Sequence, residues 1–321
     1  MFRKFIFPIL VLTLAVLACN IQTATPILTP PVITDTSTPP VPTDTPLPTG
    51  NPVLTDTPVV TTSAPGALTL DMLLNGTYLT PFYNRTVTLI NGIYSEGSGS
   101  NIFSVQMLNV YGFGDLNGDG KDDAAIILAE NGGGTGTFES VVAVLNQNGT
   151  PHQQSTAQLG DRVLVNTVDI SSGVVHLDLV VHGPSDPLCC PSMPQKHSYW
   201  LINNKLWLMR LDSNIGGTEH IINIDYPGVW ATVTNPFTVN GNVTVLPFEN
   251  TLAYHIYLTD GTKVNDSSLT VTPSIGITGT FSREFNLSSA GITDWVIIQF
   301  VDVSAADGST IALGSAILKA P

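Results

Sequence analysis

Between Gly114 and Ala129 the chain runs from Asp115-Leu116-Asn117-Gly118-Asp119-Gly120-Lys121-Asp122-Asp123 straight into Ala124-Ala125-Ile126-Ile127-Leu128-Ala129, and this passage restricts the fold more than any other stretch. Oxygen-bearing side chains stand at loop positions one, three, five and nine, with glycine at six. A hard divalent cation takes about six to eight oxygens at roughly 2.3–2.6 Å, and alternate residues of a tightly curled loop turn inward to supply them. Asp115, Asn117 and Asp119 offer side-chain oxygens, Lys121 its backbone carbonyl and Asp123 a closing carboxylate, a donor set suited to Ca2+. A helix-loop-helix site needs a bidentate glutamate at position twelve, where this chain has Ile126. The loop therefore opens into a strand, and an ion held there would be structural. The plain alternative is a solvated acidic turn, which Asp, Asn and Gly favour on their own account.

With a strand on its far side, the segment resembles the calcium loops of integrin-type (FG-GAP) repeats, in which the ion ties a tight turn between strands. Such repeats come in arrays, and a single copy argues against a propeller.

Charge narrows the partners. Charged residues make up 11% of the 321-residue chain, with 25 acidic against 11 basic, a formal charge of −14 and a pI near 4.5. Phosphate backbones would be repelled, and no basic stripe exists to release counterions, so nucleic acid is excluded as a partner. Abundant Thr, Val, Gly and Asn with few Glu and Lys favours strands and turns over helices. The length suits about two domains.

The N-terminus reads as an export signal over residues 1–18. Arg3 and Lys4 form its charged region, Phe5 to Leu17 its apolar core, and Ala18 the small residue before a cut. The apolar core is short for a membrane span. It ends in Val16-Leu17-Ala18-Cys19, which resembles the lipobox of bacterial lipoproteins. That resemblance implies that Cys19 is acylated, palmitate being one such chain, and becomes the first mature residue. Each buried methylene of such chains contributes about 0.8 kcal/mol to a membrane anchor. An ordinary secretory signal with an incidental Cys19 is the alternative.

Two further cysteines remain, the adjacent Cys189 and Cys190. In an oxidising extracytoplasmic space such neighbours close a vicinal disulfide. A soft metal site with His182 or His197 and a pair of free thiols are the alternatives, although adjacent cysteines sit awkwardly for tetrahedral zinc.

Residues 19–66 are rich in Pro and Thr with near-repeats such as Thr43-Asp44-Thr45-Pro46 and Thr55-Asp56-Thr57-Pro58. Such a stretch cannot bury enough apolar surface to offset its ordering entropy, and it reads as a disordered, extended stalk. About forty-five residues at about 3.1 Å each span on the order of 100 Å.

From 67 to 212 short alternating segments follow one another and imply a mixed or antiparallel β domain that carries the acid loop. Asn91-Gly92 between Val87–Ile90 and Ile93-Tyr94 is the dipeptide of a type I′ turn, where both residues take positive φ. A buried strand is expected at Ala124–Leu128, and others at Val141–Leu145, Val163–Ile170, Val174–Val181, Tyr199–Ile202 and Leu206–Met209. Two loops stand out. Glu130-Asn131-Gly132-Gly133-Gly134-Thr135-Gly136 lacks the lysine and following helix of a phosphate cradle and reads as a flexible connection. His182 to Pro191 is stiffened by Pro184, Pro187 and Pro191 and reads as a structural corner, with binding, to which a rigid exposed loop on a strand scaffold is suited, as the alternative. Leu70 to Leu208 resembles a recurring domain of exported bacterial proteins with a similar acid loop, glycine turn and paired cysteines, a likeness that implies no activity.

A polar connection after Asp212 leads to a second unit at 221–321. Asn235-Pro236-Phe237, Pro247-Phe248-Glu249-Asn250, Asp260-Gly261, Gly279-Thr280-Phe281 and Asp307-Gly308 succeed one another there. In this order and spacing they resemble the immunoglobulin-like domain that accompanies spore-germination (GerMN-type) domains in bacterial envelope proteins. Asn235, where serine is commoner, departs from that pattern. Strands about ten residues apart, from Val243–Leu246 to Ile311–Leu318, independently suggest a β-sandwich, with Trp295 and Phe300 in its core and Glu249 a carboxylate held by local hydrogen bonds at a strand end, a ligand contact being the alternative. The fold class expected overall is all-β.

Signatures of catalysis are missing: no Gly-x-Ser-x-Gly turn, no His-Glu-x-x-His helix and no dinucleotide fingerprint. The sequence therefore points to a non-catalytic, lipid-anchored protein outside the cytoplasm. It would display two β domains to a cell-wall glycan or envelope protein, with Ca2+ fixing the first. A calcium-dependent glycan hydrolase, which needs only two carboxylates brought together by the fold, is the alternative. A solute-capture protein is a third class, disfavoured because such proteins are larger α/β folds with a cleft.

Overall fold

The computed structural model describes residues 66–287, 292 and 294–320, all within one compact unit, Val60–Pro321. The export signal, Cys19 and the stalk up to residue 65 lie outside the described residues. The described chain is nearly all β.

It opens on one short helix, α1 (Leu70–Leu74), capped by Thr69, whose hydroxyl accepts the Met72 amide at 3.3 Å. The hairpin β1 (Thr77–Thr80) and β2 (Arg85–Thr88) follows, then β3 (Ile93–Glu96). Asn91 and Gly92 take φ of 52° and 81°, as the type I′ reading requires. Only the bridge Ile90↔Ile93 closes that turn. Beyond it β2 pairs with β1 and β3 with β4 (Phe103–Gly114).

β3 and β4 continue with β5 (Asp123–Asn131), β6 (Phe138–Gln147) and β7 (Thr150–Asp161) as a five-stranded antiparallel sheet in chain order. Successive residues of a strand face opposite sides, and both sides of β5 and β6 are covered. Ala124, Ile126, Leu128, Val142 and Val144 pack toward Leu73, Tyr78 and Val87. Ala125, Ile127, Val141 and Ala143 pack toward Val175, Leu177, Leu179 and Tyr199. Two-sided burial is the physical reason the run after the acid loop is apolar at every position.

The second of those cores is closed by β8 (Leu164–Ser171), β9 (Val174–Val181), β10 (Met193–Ile202) and β11 (Lys205–Ile215), an antiparallel meander. Asn203 and Asn204, with φ of 49° and 62°, form the β10–β11 turn. The expected polar connection after Asp212 proves to be the rest of β11 and a hairpin through Gly216-Gly217 to β12 (Thr218–His220).

The remaining strands are β13 (Ile222–Tyr226), β14 (Ala231–Thr232), β15 (Phe237–Val243), β16 (Thr251–Leu258), β17 (Lys263–Thr270), β18 (Thr272–Pro273), β19 (Gly279–Phe285), β20 (Trp295–Val303) and β21 (Thr310–Lys319). They form an immunoglobulin-like sandwich. One sheet is β13-β15-β19-β18, the other contains β17-β16-β20-β21, and Val239, Leu252, Val296, Ile298, Phe300 and Leu318 fill the space between. The strand expected at Val243–Leu246 ends at Val243, where β15 leaves the ladder.

The two sheets that carry β11 and β21 are a single sheet. β21 pairs with β11 at Arg210↔Gly314 and Leu211↔Leu313, so the order runs β17-β16-β20-β21-β11-β10-β9-β8 across both halves of the chain. Side chains reinforce this seam. Gln299 donates to the Leu208 carbonyl at 2.7 Å, and Ser213 donates to that of Ile311.

Candidate functional sites: the acid loop and the inter-domain seam

The acid loop is curled by its own carboxylates. Asp115 Oδ1 accepts the amides of Asn117, Gly118 and Asp119 at 3.2, 2.7 and 3.2 Å, and its Oδ2 that of Gly120 at 2.8 Å. Asn117 accepts from the Asp119 amide and Asp119 from that of Lys121. Gly118 and Gly120 take φ of 79° and 80°, conformations that side chains resist. Burial works against the charge on Asp115, but the amides outweigh it and hold its pKa below the ordinary value.

Asp123 plays a different part. It is fully buried, its Oδ2 accepts the Leu116 amide at 2.9 Å and its Oδ1 the Asn146 amide at 2.8 Å, tying the loop to the end of β6. Burial raises its pKa, the two amides oppose that rise, and the charges of Asp119 and Asp115 add to it. Lys121 does not relieve the repulsion, because its ammonium reaches Asn148 instead, at 3.2 Å. Among the described residues no three His, Cys, Asp or Glu side chains already converge on one metal-holding point. Hard oxygens, a glycine-permitted curl and mutually repelling carboxylates nonetheless match the chemistry of a hard divalent cation.

Arg162 brings the other two sequence-marked loops together. Its guanidinium donates to the Leu188 carbonyl and to the Thr135 carbonyl, each at 2.6 Å. The glycine-rich turn is organised by Asn131, which accepts the Gly133 amide and donates to the carbonyls of Gly134 and Gly136. In the proline-stiffened loop Cys189 and Cys190 are joined as neighbours. Asp186 accepts the amides of Gly183 and Ser192 and the Ser192 hydroxyl, each at 2.7 Å. Neither histidine joins the sulfurs in a metal cluster. Glu249 is exposed at a left-handed turn, φ 53°, and its carboxylate makes no hydrogen bond among the described residues, unlike the strand-end carboxylate expected.

His197 lies in a buried relay that crosses the seam. Its Nδ1 is 3.2 Å from Tyr199 Oη and its Nε2 2.8 Å from Gln195 Oε1. Gln195 donates to Ser213 Oγ at 3.0 Å, and Ser213 completes the path to the Ile311 carbonyl. Desolvation lowers the His197 pKa to about 4. The neutral ring therefore donates from Nε2 and accepts at Nδ1, which satisfies both partners.

A further cluster at the seam has no local signal in the sequence. All four tryptophans gather at the seam. Trp207 is buried with Met209, Ile297 and Ile317. Trp200 stacks on Trp230 with centroids 5.8 Å apart and planes 17° apart, and Trp295 meets Trp230 edge-on at 5.1 Å. Trp295, expected in the sandwich core with Phe300, instead faces this outer cluster. Phe300 is in the core. Nothing local announces the cluster: Trp200 and Trp207 lie within strands β10 and β11, Trp230 in a turn and Trp295 at the start of β20.

Residues 221–309 match the family of immunoglobulin-like domains of bacterial spore germination. No curated protein and no solved structure matches the chain.

Proposed function

We propose that this protein is a non-catalytic display protein held at the outer face of a bacterial membrane through a lipid on Cys19, presenting its two β domains as one platform for an envelope ligand. The observation that carries the reading is the β11–β21 seam, which makes the halves one sheet. A platform joined by ladder hydrogen bonds keeps surfaces from both halves in fixed register, which favours holding a ligand over closing around one. The spore-germination match at 221–309 supports an envelope role for the second half. Ca2+ would be held by Asp115, Asn117, Asp119 and the Lys121 carbonyl, with Asp123 as the buried brace behind them. The ion would supply charge neutralisation that locks the turn between β4 and β5.

A glycan hydrolase needs an acid and a base or nucleophile facing one bond. Glu139 is the group most suited to hold a proton, since burial raises its pKa to about 7 and the Asp161 charge adds to the rise. Its carboxylate is buried, however, and accepts the Val163 amide at 2.7 Å.

Fractionation with envelope binding tests the reading. The full chain should remain with membranes and retain isolated envelope material without releasing soluble sugar over time, and Cys19→Ser should free it into the soluble fraction. Unchanged membrane retention of that variant, or steady release of reducing ends, would contradict the proposal.

A further inference from the structure

The seam encloses a cavity of about 330 Å³ on the outer face of the joined sheet, a size at which small-ligand sites begin. Its wall is shared by both halves of the chain. Trp200, His176 and Arg210 come from the first, while Pro227, Val229 and Ser315 come from the second. Trp200 supplies an aromatic surface. His176 Nδ1 and Ser198 Oγ share a hydrogen bond of 3.1 Å at the rim. Arg210 is oriented by Asp212 at 2.8 Å and Asn223 at 3.3 Å.

Two features of this cavity are unexplained by stability. Ser315 Oγ is shielded from solvent yet has no hydrogen-bond partner, a state that costs about 1–3 kcal/mol. Trp230 beside it holds φ 63°, a left-handed conformation unfavourable for a bulky side chain. It is fixed there by its amide, which donates to the Ile317 carbonyl at 2.9 Å. Trp230 as a whole residue is 48% exposed, near Tyr226 and Val229 at 57% and 56%. Its ring packs on Trp200 and Trp295, so the strained turn holds Trp200 from behind, and strain of this kind concentrates at ligand sites.

From this arrangement the geometry points to a saccharide site, the ligand being a neutral pyranose unit of an extracellular glycan. The proposal rests on the display reading above and names the ligand class for it. Trp200 lines the cavity with Trp230 stacked behind it, its open face carries the negative side of the aromatic quadrupole, and the C–H face of a pyranose ring is weakly positive and apolar. Around that ring, hydroxyls need mixed donors and acceptors. His176, Ser198, Arg210 and Ser315 provide them, the Ser315 hydroxyl being already stripped of water and unpartnered. The Asp212 carboxylate offsets the Arg210 charge, which favours a neutral ring over an acidic one. The formal charge of −14 argues the same way against polyanions.

The test is calorimetric titration of the full chain in detergent with two probes, N-acetylchitohexaose for a cell-wall type of ring and cellohexaose for an environmental one. Saturable binding of either is expected, quenching tryptophan fluorescence, and the probe that binds identifies the source. Trp200→Ala, which removes the aromatic wall, should weaken binding at least tenfold, about 1.4 kcal/mol, while Trp230→Gly, which takes away only the ring stacked behind it, should weaken it less. Ser315→Ala, a milder change, should weaken it less and in the same direction. Absence of binding to both sugars, or affinity unchanged in Trp200→Ala, overturns the site. Displacement of a bound peptide rather than a sugar would do so too. Envelope retention with no oligosaccharide binding would reject the saccharide site and leave the display reading standing, whereas loss of envelope retention would reject the display reading itself.

Discussion

The acid loop and the β11–β21 seam are both held by side chains that bond to backbone, but over opposite distances along the chain. In the loop, Asp115 reaches amides two to five residues away. At the seam Gln299 reaches Leu208 across 91 residues and Ser213 reaches Ile311 across 98. Closing a short loop costs little chain entropy, whereas a contact of long separation forms only when the elements that carry it are already folded. A change in the loop should therefore act locally, while a change at the seam should be felt by both halves.

The largest effect is expected at Gly314, which pairs with Arg210 on one side and Phe300 on the other. A Cβ at this position would stand 2.5 Å from the Ile222 carbonyl oxygen, which is backbone and cannot swing aside. Gly314→Ala should cost about 3 kcal/mol in denaturant unfolding. A loss within about 0.5 kcal/mol would show that the seam contributes little to stability.

Calcium addresses the loop. An ion bound only by the folded chain stabilises it by about 2.7 kcal/mol at a hundredfold excess over its Kd. Melting temperature should rise with calcium, and Asp119→Ala should remove the gain. Equal melting in calcium and in chelator would reduce the loop to an acidic turn.

The third effect separates the first half from the seam by pH. Burial lifts Glu139 from 4.5 to about 7, against the pull of the Val163 amide. In that interval the folded chain keeps a proton the unfolded chain has released. Stability from this group is thus greatest below 4.5, falls as pH rises to about 7, and is level above. Glu139→Gln keeps an acceptor for Val163 and should gain roughly 2 kcal/mol at mildly alkaline pH. His197 has the opposite sign. Its depressed pKa means stability present above 6.5 is lost as pH falls toward about 4. An unchanged pH profile in Glu139→Gln would place the alkaline loss elsewhere.

The same contrast in range explains what was legible in the sequence. Turns announce themselves in adjacent residues, so Asn91-Gly92 and the curl at Asp115 were readable. So was the strand after Asp123, because its apolar run is continuous. β7 was not, since His152-Gln153-Gln154-Ser155-Thr156 has neither alternation nor apolar character. Its side chains are partners rather than core. Gln153 bonds both backbone groups of Leu79 at 2.7 and 2.9 Å, and Ser155 accepts the Leu206 amide at 2.9 Å. The seam was equally hidden. Arg210, Leu211, Leu313 and Gly314 read as ordinary strand residues, and nothing near them in sequence says that an edge of one sheet will meet an edge of another. The tryptophan cluster inherits that blindness, because Trp200 and Trp230 become neighbours only once the seam exists.

Scanning calorimetry of the full chain tests the claim that the two halves are one body most directly. A single cooperative transition, with calorimetric and van't Hoff enthalpies equal, is the predicted result. Two resolved transitions, one of which Gly314→Ala leaves untouched, would contradict it.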